Sequence, residues 1–273
     1  MKIDDRITVE PKWDKTPKDV WNERFAALTD DDDDENQADS AVAKTVSIAA
    51  WTKRIISVAA ALLLLLSATT YLYTKDTKSV AGKTVAVTLP DGSLAQLSSA
   101  SEISYRPLLW LLSVHDVTLK GEAYFSGHHA DGFTVKTDNG EVNVLGTSFN
   151  VRTFDNRLQV ACINGRVKVS THQSSVVLTA GMETAAQEEG QLTTQHFTDV
   201  ESITGWTHGV FSFYDCPLTD VLRDVERNYG VTIEASADID TLRYTGRFTR
   251  NKPVESVLAI IGQSYNISFK ITK

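Results

Sequence analysis

The chain has 273 residues, 42% of them hydrophobic and 23% charged, with a formal net charge of -8. That length allows two domains, or one domain with appendages. The acidic balance offers no basic face of the kind that direct nucleic-acid binding requires, so that function class is set aside.

Residues 1–50 form a first region with seven basic and thirteen acidic residues. Its best helix is "TPKDVWNERFAAL". Thr16 suits the N-cap, Pro17 the first helical position, and Asp19 the positive end of the helix dipole. Trp21, Phe25 and Leu28 then fall at i, i+4 and i+7 on one face. A single short helix cannot bury such a stripe, so the stripe needs a partner, within the tail or on another protein. The acidic run Asp30–Glu35 that follows reads as a solvated, self-repelling linker.

From Ile55 to Leu72, "IISVAAALLLLLSATTYL" is an uncharged run of eighteen residues. At helical rise it extends about 27 Å, close to the thickness of a bilayer's hydrocarbon layer. A core helix would keep a polar stripe, which Leu62–Leu66 lacks. More than fifty residues precede the run and no small-residue cleavage site follows, so a signal anchor is expected over residues 51–74 rather than a cleaved leader. Trp51, Tyr71 and Tyr73 stand where an aromatic belt would lie. Basic residues flank both ends, with Lys53 and Arg54 abutting the N-terminal side. They favour a cytoplasmic N-terminus. The roughly two hundred folded residues that follow favour it more, since long domains translocate regardless of charge.

Residues 80–190 show almost no helical periodicity. "KTVAVTLPDGSLAQLS" is a strand, a Pro-Asp-Gly turn and a strand. Alternating runs punctuated by Gly and Asn-Gly continue through "DVTLKGEAYFSG", "DGFTVKTDNGEVNVLGTSFNV", "RLQVACINGRVKVS" and "SVVLTAGMETAAQ". Many short strands at this spacing predict an all-β domain, either an antiparallel sandwich or a solenoid-like stack. "LLWLL" (Leu108–Leu112) is too short for a second span and is expected as a core strand. In "VLGTSFNV" the pair Gly146-Thr147 interrupts an alternating run, and a bulge with a left-handed glycine is the plain expectation.

Residues 191–208 carry few strand signals and read as a linker. Residues 209–273 contain an internal repeat: "PLTDVLRDVERNYGVTIEA" aligns without a gap on "PVESVLAIIGQSYNISFKI" at an offset of 36. Proline opens each helix, Gly230 and Asn266 take the left-handed closing position, and alternating strands follow. Two βαβ units are predicted, with Leu222, Val225, Leu258 and Ile261 facing a small sheet. The fold class is therefore composite: an α-helical tail, one transmembrane helix, an all-β domain and a small α+β domain.

Catalytic and metal signals are sparse. His128-His129 has no partner at ligand spacing and reads as loop, so no metal and no cofactor are expected. Cys162 and Cys216 form no CxxC pattern; two thiols are favoured, although an oxidising compartment would permit a disulfide. Glu122 in "KGEAYF" and Glu141 are scattered carboxylates without a recognisable catalytic pair, which counts against an anchored hydrolase.

The segments "VTLPDGSLAQLSSASEISY", "VTLKGEAYF", "FTVKT" and "VNVLGTSFNV" resemble the core of FecR-type anti-sigma regulators. The tail "FSFYDCPLTDVLRDVERNYGVTI" through "TGRF" is similar to the short C-terminal domain of Bacteroidetes-type members. Asn164 in "ACINGRV" stands where relatives usually carry an acidic residue. The resemblance implies a single-pass protein of the bacterial inner membrane with its C-terminal domains in the periplasm. It implies a cytoplasmic tail holding an extracytoplasmic-function (ECF) sigma factor, for which Trp21, Phe25 and Leu28 are the candidate contacts. It further implies a periplasmic part engaged by the signalling domain of a TonB-dependent outer-membrane transporter, somewhere on the C-terminal domain. A membrane-anchored periplasmic scaffold without sigma-factor control is the alternative, and neither reading is an enzyme. Some members of the family self-cleave at a Gly-Thr bond. Here that would be attack of Thr147 Oγ on the Gly146 carbonyl, with His115 as a nearby candidate base.

Overall fold

The computed structural model describes residues 15–25, 48–110, 112–127, 132–186 and 190–272. The chain divides into two compact units, Met1–Ser57 and Val58–Lys273. In the first, helix α1 covers Pro17–Phe25. Thr16 and Asp19 cap it reciprocally: the Asp19 N–H donates to Thr16 Oγ1 at 3.4 Å, and the Thr16 N–H donates to Asp19 Oδ2 at 3.1 Å. Hydrogen bonds from Thr16 hold the Asp19 carboxyl below its ordinary value. Leu28, the acidic run and the His128-His129 pair lie outside the described residues.

Helix α2 covers Ile48–Leu72. Its stretch Trp51–Leu72, 22 residues with an 18-residue window of mean hydropathy 2.2, is long and apolar enough to cross a membrane, and none of that window is buried against protein. Its hydroxyls turn inward on the helix. Ser57 donates to the Arg54 carbonyl, Ser67 to Leu64, and Thr69 and Thr70 both to Leu66. The serine and threonine hydroxyls between Ile55 and Leu72 are therefore satisfied by the helix's own carbonyls.

The next strands are β1 (Lys75–Ser79), β2 (Val85–Thr88), β3 (Leu94–Leu97) and β4 (Ser101–Tyr105). After a short helix α3 (Pro107–Trp110) come β5 (Asp116–Lys120), β6 (Glu122–Ser126), β7 (Phe133–Thr137), β8 (Gly140–Val144) and β9 (Ser148–Arg152). The domain closes with β10 (Gln159–Asn164), β11 (Arg166–Ser170), β12 (Ser175–Thr179), β13 (Met182–Ala186) and β14 (Leu192–His196). They form two seven-stranded sheets, one in the order β1-β4-β5-β7-β8-β11-β12 and the other β14-β13-β10-β9-β6-β3-β2. All neighbours are antiparallel except β5 and β7. Hairpins alternate with crossovers between the sheets, except at β6, which is both entered and left by a crossover, and each strand sends alternate side chains into one shared core. Phe125 and Phe149 stack there at 5.0 Å, with Phe133 5.5 Å from Phe125. Cys162, in this core, and Cys216 are both free thiols.

Three expectations change. Leu108–Leu112 is not a core strand: Pro107 cannot donate to a ladder and opens α3 instead, burying Trp110 and leaving Leu108 and Leu112 exposed. The segment expected as a linker is folded. β14 pairs with β13 from Met182↔His196 to Ala186↔Leu192, and helix α4 (Val200–Thr204) and a 3-10 turn (Gly205–His208) follow, burying Trp206. Its threonine-rich alternation is a weak strand pattern that the ladder to β13 makes good.

The third change is in the C-terminal domain, which comprises β15 (Val210–Pro217), α5 (Leu218–Tyr229), β16 (Thr232–Ala235), β17 (Arg243–Thr249), α6 (Val254–Tyr265) and β18 (Phe269–Thr272). The helices are repeat equivalents and close on left-handed Gly230 (φ 67°) and Asn266 (φ 57°). The repeats are interlocked, however, rather than two self-contained βαβ units. β15 pairs antiparallel with β17, and β16 with β18, so each strand takes its partner from the other repeat. Pairing equivalent strands antiparallel relates the repeats by an approximate two-fold. It puts Leu222, Val225, Leu258 and Ile261 into a single core that neither repeat could close alone.

Candidate functional site

The outer face of the second sheet is where the C-terminal domain meets the β domain. Along β3, β6 and β9, inward residues such as Leu97, Phe125 and Phe149 alternate with outward ones. Gln96, Tyr124 and Asn150 stand opposite one another in one outward row, and Glu122 opposes Arg152 in the next. Outward positions on a half-buried sheet normally face water. Here Glu122 and Asn150 are only 6% and 5% exposed, because the C-terminal domain covers them.

The contacts form a continuous polar seam. Arg152 donates through Nη1 to Glu122 Oε2 at 3.2 Å and through Nη2 to Asp224 Oδ1 of α5 at 2.6 Å. Asp224 also accepts from Arg227 Nη2 at 2.6 Å, while Asn150 Nδ2 donates to Glu122 Oε1 at 3.0 Å. Asn150 in turn accepts from the Trp206 indole at 3.3 Å. At the rim Arg157 meets Asp220 at 2.9 Å, and the Gln96 amide donates to the Thr207 carbonyl at 2.7 Å. A second cluster joins Ser99, Asn228 and Arg250: Asn228 Oδ1 accepts from Ser99 Oγ at 3.0 Å and from Arg250 Nη2 at 2.7 Å.

Burial pushes the Glu122 carboxyl up, against the opposing pull of Arg152. Burial alone would depress the Arg152 guanidinium, but the carboxylates of Asp224 and Glu122 outweigh it and hold Arg152 above its ordinary value. Arg152 touches carboxylates of both domains from the β-domain side, and Arg227 does so from α5, meeting Asp155 at 3.4 Å as well as Asp224 at 2.6 Å. In the sequence Glu122 is an isolated carboxylate. The available signal was its placement on an outward strand position, and its partner lies thirty residues away.

The other predicted residues are dispersed. Trp21 lies on α1 and is 65% exposed; Phe25 ends the same helix. Gly146-Thr147 is the corner where the chain leaves β8 in one sheet for β9 in the other, with Gly146 left-handed at φ 63°. The register irregularity sits on the facing strand β10, between Cys162 and Asn164. Thr147 is buried, and its Oγ1 has no hydrogen-bond partner among the described residues. His115 Nδ1 is engaged instead by the Gly132 carbonyl at 3.0 Å, and its ring packs against Trp110. Gly165 closes over the corner: a Cβ there would lie 2.7 Å from Thr147 Cγ2.

The model of the FecR protein family matches residues 75–168, and that of the FecR C-terminal domain matches residues 210–273. The chain belongs to the FecR family. Two crystal structures of a candidate anti-sigma factor from Parabacteroides distasonis are similar to it, each at 26% identity. One aligns with a TM-score of 0.64 over 72% of this chain and 94% of its own; the other scores 0.65 over 73% and 100%. No curated protein sequence matches the chain. Against the family boundaries, the polar seam joins the FecR domain proper to the FecR C-terminal domain. Arg152 belongs to the first and Asp224 to the second.

Proposed function

We propose that this FecR-family chain is a single-pass anti-sigma factor of the inner membrane. Residues 1–50 hold an ECF sigma factor in the cytoplasm, with Trp21, Phe25 and Leu28 as the contact stripe. The FecR domain and the C-terminal domain stand in the periplasm, where the C-terminal domain receives the signalling domain of a TonB-dependent outer-membrane transporter. The observation that carries this reading is the order of parts. Both family regions follow one helix long enough to cross a bilayer, and a tail with a capped helix and an exposed Trp21 precedes it. The two-stranded sheets of the C-terminal domain support the docking role. Each of their described strands has one edge without a strand partner, as strand addition requires.

Co-purification of residues 1–50 with an ECF sigma factor tests the reading. Recovery is expected to fall with Trp21→Ala, and an unchanged yield assigns the contact elsewhere. The chain acts by binding, without self-cleavage. A Thr147 hydroxyl with no hydrogen-bonded base supports an intact Gly146-Thr147 bond. An immunoblot of C-terminally tagged protein is expected to show full-length chain alone. A fragment beginning at Thr147 that vanishes in Thr147→Ala would reverse this.

A further inference from the structure

The end of the β domain that faces the exit of α2 carries large aliphatic side chains in the open. Only Tyr73 and Thr74 separate α2 from β1, a reach of about 10 Å at full extension. The strand registers place Lys75, Tyr105, Val117, Val135 and Val142 opposite one another in a row across the first sheet. Everything beyond that row on the α2 side forms one end of the domain. That end includes the connection from Arg106 to His115 and the corner after Val144. Four of its described large aliphatic side chains are exposed: Leu108 at 37%, Leu112 at 65%, Val114 at 41% and Leu145 at 68%. Connections are ordinarily polar, and grouped exposed aliphatics mark a contact surface.

What covers them is indicated by position and by charge. The Arg106 guanidinium lies over the ring of Tyr71 at 4.6 Å, which ties the connection to the last turn of the apolar helix, where an aromatic belt meets lipid headgroups. Lys75 stands beside it, 5.9 Å from the Tyr105 ring. The acidic Asp116 at this end is already paired with Lys136 at 2.7 Å. Aliphatic side chains bordered by basic ones that form no ion pair among the described residues, level with a helix exit, fit the headgroup–acyl boundary of a bilayer.

We propose that this end of the FecR domain is a membrane foot. Leu108, Leu112, Val114 and Leu145 insert into the leaflet at the C-terminal end of α2, while Arg106 and Lys75 meet lipid phosphates. The occupant is the lipid surface itself. The proposal rests on α2 spanning the membrane, and that can be tested apart from it. Full-length chain carrying Cys216→Ser, with Cys162 buried and unreactive, is spin-labelled singly at 112, 145 or 138. Asp138 is the control, an exposed residue in the turn between β7 and β8, on the opposite side of that row. The protein is reconstituted into vesicles of phosphatidylethanolamine and phosphatidylglycerol, and flotation first establishes insertion. Collision with oxygen relative to a water-soluble nickel chelate is expected to be several-fold higher at 112 and 145 than at 138. That corresponds to a depth of about 5–10 Å. Equal ratios at all three sites in floating vesicles overturn the foot but leave the span intact. Labels shielded from both reagents overturn it in favour of a protein partner. A chain that fails to float overturns the span and the foot together. As a second variant, Leu112→Asp with Leu145→Asp is expected to return a label at 108 to a water-phase ratio with circular dichroism unchanged. A lipid-phase ratio at 108 despite both aspartates counts against the foot.

Discussion

Replacing Arg152 with alanine should destabilise the protein by an amount that depends on pH in a calculable way. The substitution strips Glu122 of its only cation within salt-bridge distance among the described residues and leaves it the Asn150 amide, at 6% exposure. Asp224 keeps Arg227 at 2.6 Å and loses less. Breaking a buried ion pair costs about 3–5 kcal/mol. Glu122 can escape the full penalty by taking a proton, which limits its share. From an ordinary value of 4.5, protonation at pH 7 costs about 3.4 kcal/mol, at about 1.4 kcal/mol per unit. Adding about 1 kcal/mol for the half-compensated Asp224 gives a loss of roughly 4 kcal/mol at pH 7. At pH 5 the protonation share falls to about 0.7 kcal/mol and the total to roughly 2 kcal/mol. Urea unfolding of residues 74–273 at the two pH values measures both. That segment is matched in size to the two solved neighbours, which are covered over 94% and 100% of their own length by 72% and 73% of this chain. A loss below about 1 kcal/mol, or one that does not change between pH 7 and pH 5, would refute the view of Arg152 as the cation that holds the seam.

Three further outcomes follow from the same structure. Glu122→Gln isolates the titration of that carboxyl. Because its folded value is raised, the folded state binds the proton more tightly than the unfolded state, and stability from this group is full below 4.5 and lost as pH rises through the raised value. Wild type minus variant stability should therefore decline from pH 4.5 towards neutrality, and a flat difference would show Glu122 to be unshifted. Gly165→Ala should cost about 2 kcal/mol, since φ is +88° and the new Cβ would press on Thr147 Cγ2; thermal unfolding should fall by roughly 4–8 °C. The repeat permits an internal comparison at the helix closures. Gly230→Ala should lose about 1 kcal/mol at φ 67°, whereas Asn266→Gly should be neutral or gain a few tenths, read by denaturant midpoint.

The parts of the fold that depend on short-range pattern were legible. The apolar run fixes α2 by length and composition, the 36-residue repeat places α5 and α6 to within a residue, with Pro217 and Pro253 standing just before them, and Gly230 and Asn266 announce the left-handed closures. Alternation also located most strands of the β domain. Strand partnership was not legible, because alternation is identical whichever neighbour supplies the ladder. β15 and β16 read as members of one unit, while their hydrogen bonds run to β17 and β18. The same limit hid the seam. Glu122, Asn150 and Arg152 occupy positions that alternation assigns to solvent, and only the C-terminal domain lying over them makes them interior. Leu108–Leu112 failed for another reason. Hydropathy marked it as core, but Pro107 and the end of β4 at Tyr105 turn it out of the sheet.

The seam also bears on how a signal could pass through such a chain. Inter-domain contacts built from polar groups separate more readily than apolar ones. This seam combines a separable rim, Arg157 with Asp220 and Gln96 with Thr207, and a buried centre that is costly to open unless Arg152 keeps a carboxylate on each side. β9 connects that centre to the far end of the domain. Arg152 ends the strand at the seam, and Ser148 begins it beside the Gly146-Thr147 corner, at the end that faces the exit of α2. If a partner loads the C-terminal domain as proposed, the strain it applies at Asp224 falls on Arg152, and β9 is the shortest covalent route from there to the membrane side. Arg152→Ala should then cut the dependence of sigma-factor release on transporter engagement while leaving the binding of residues 1–50 intact. A variant that loses both together would place the coupling outside the seam.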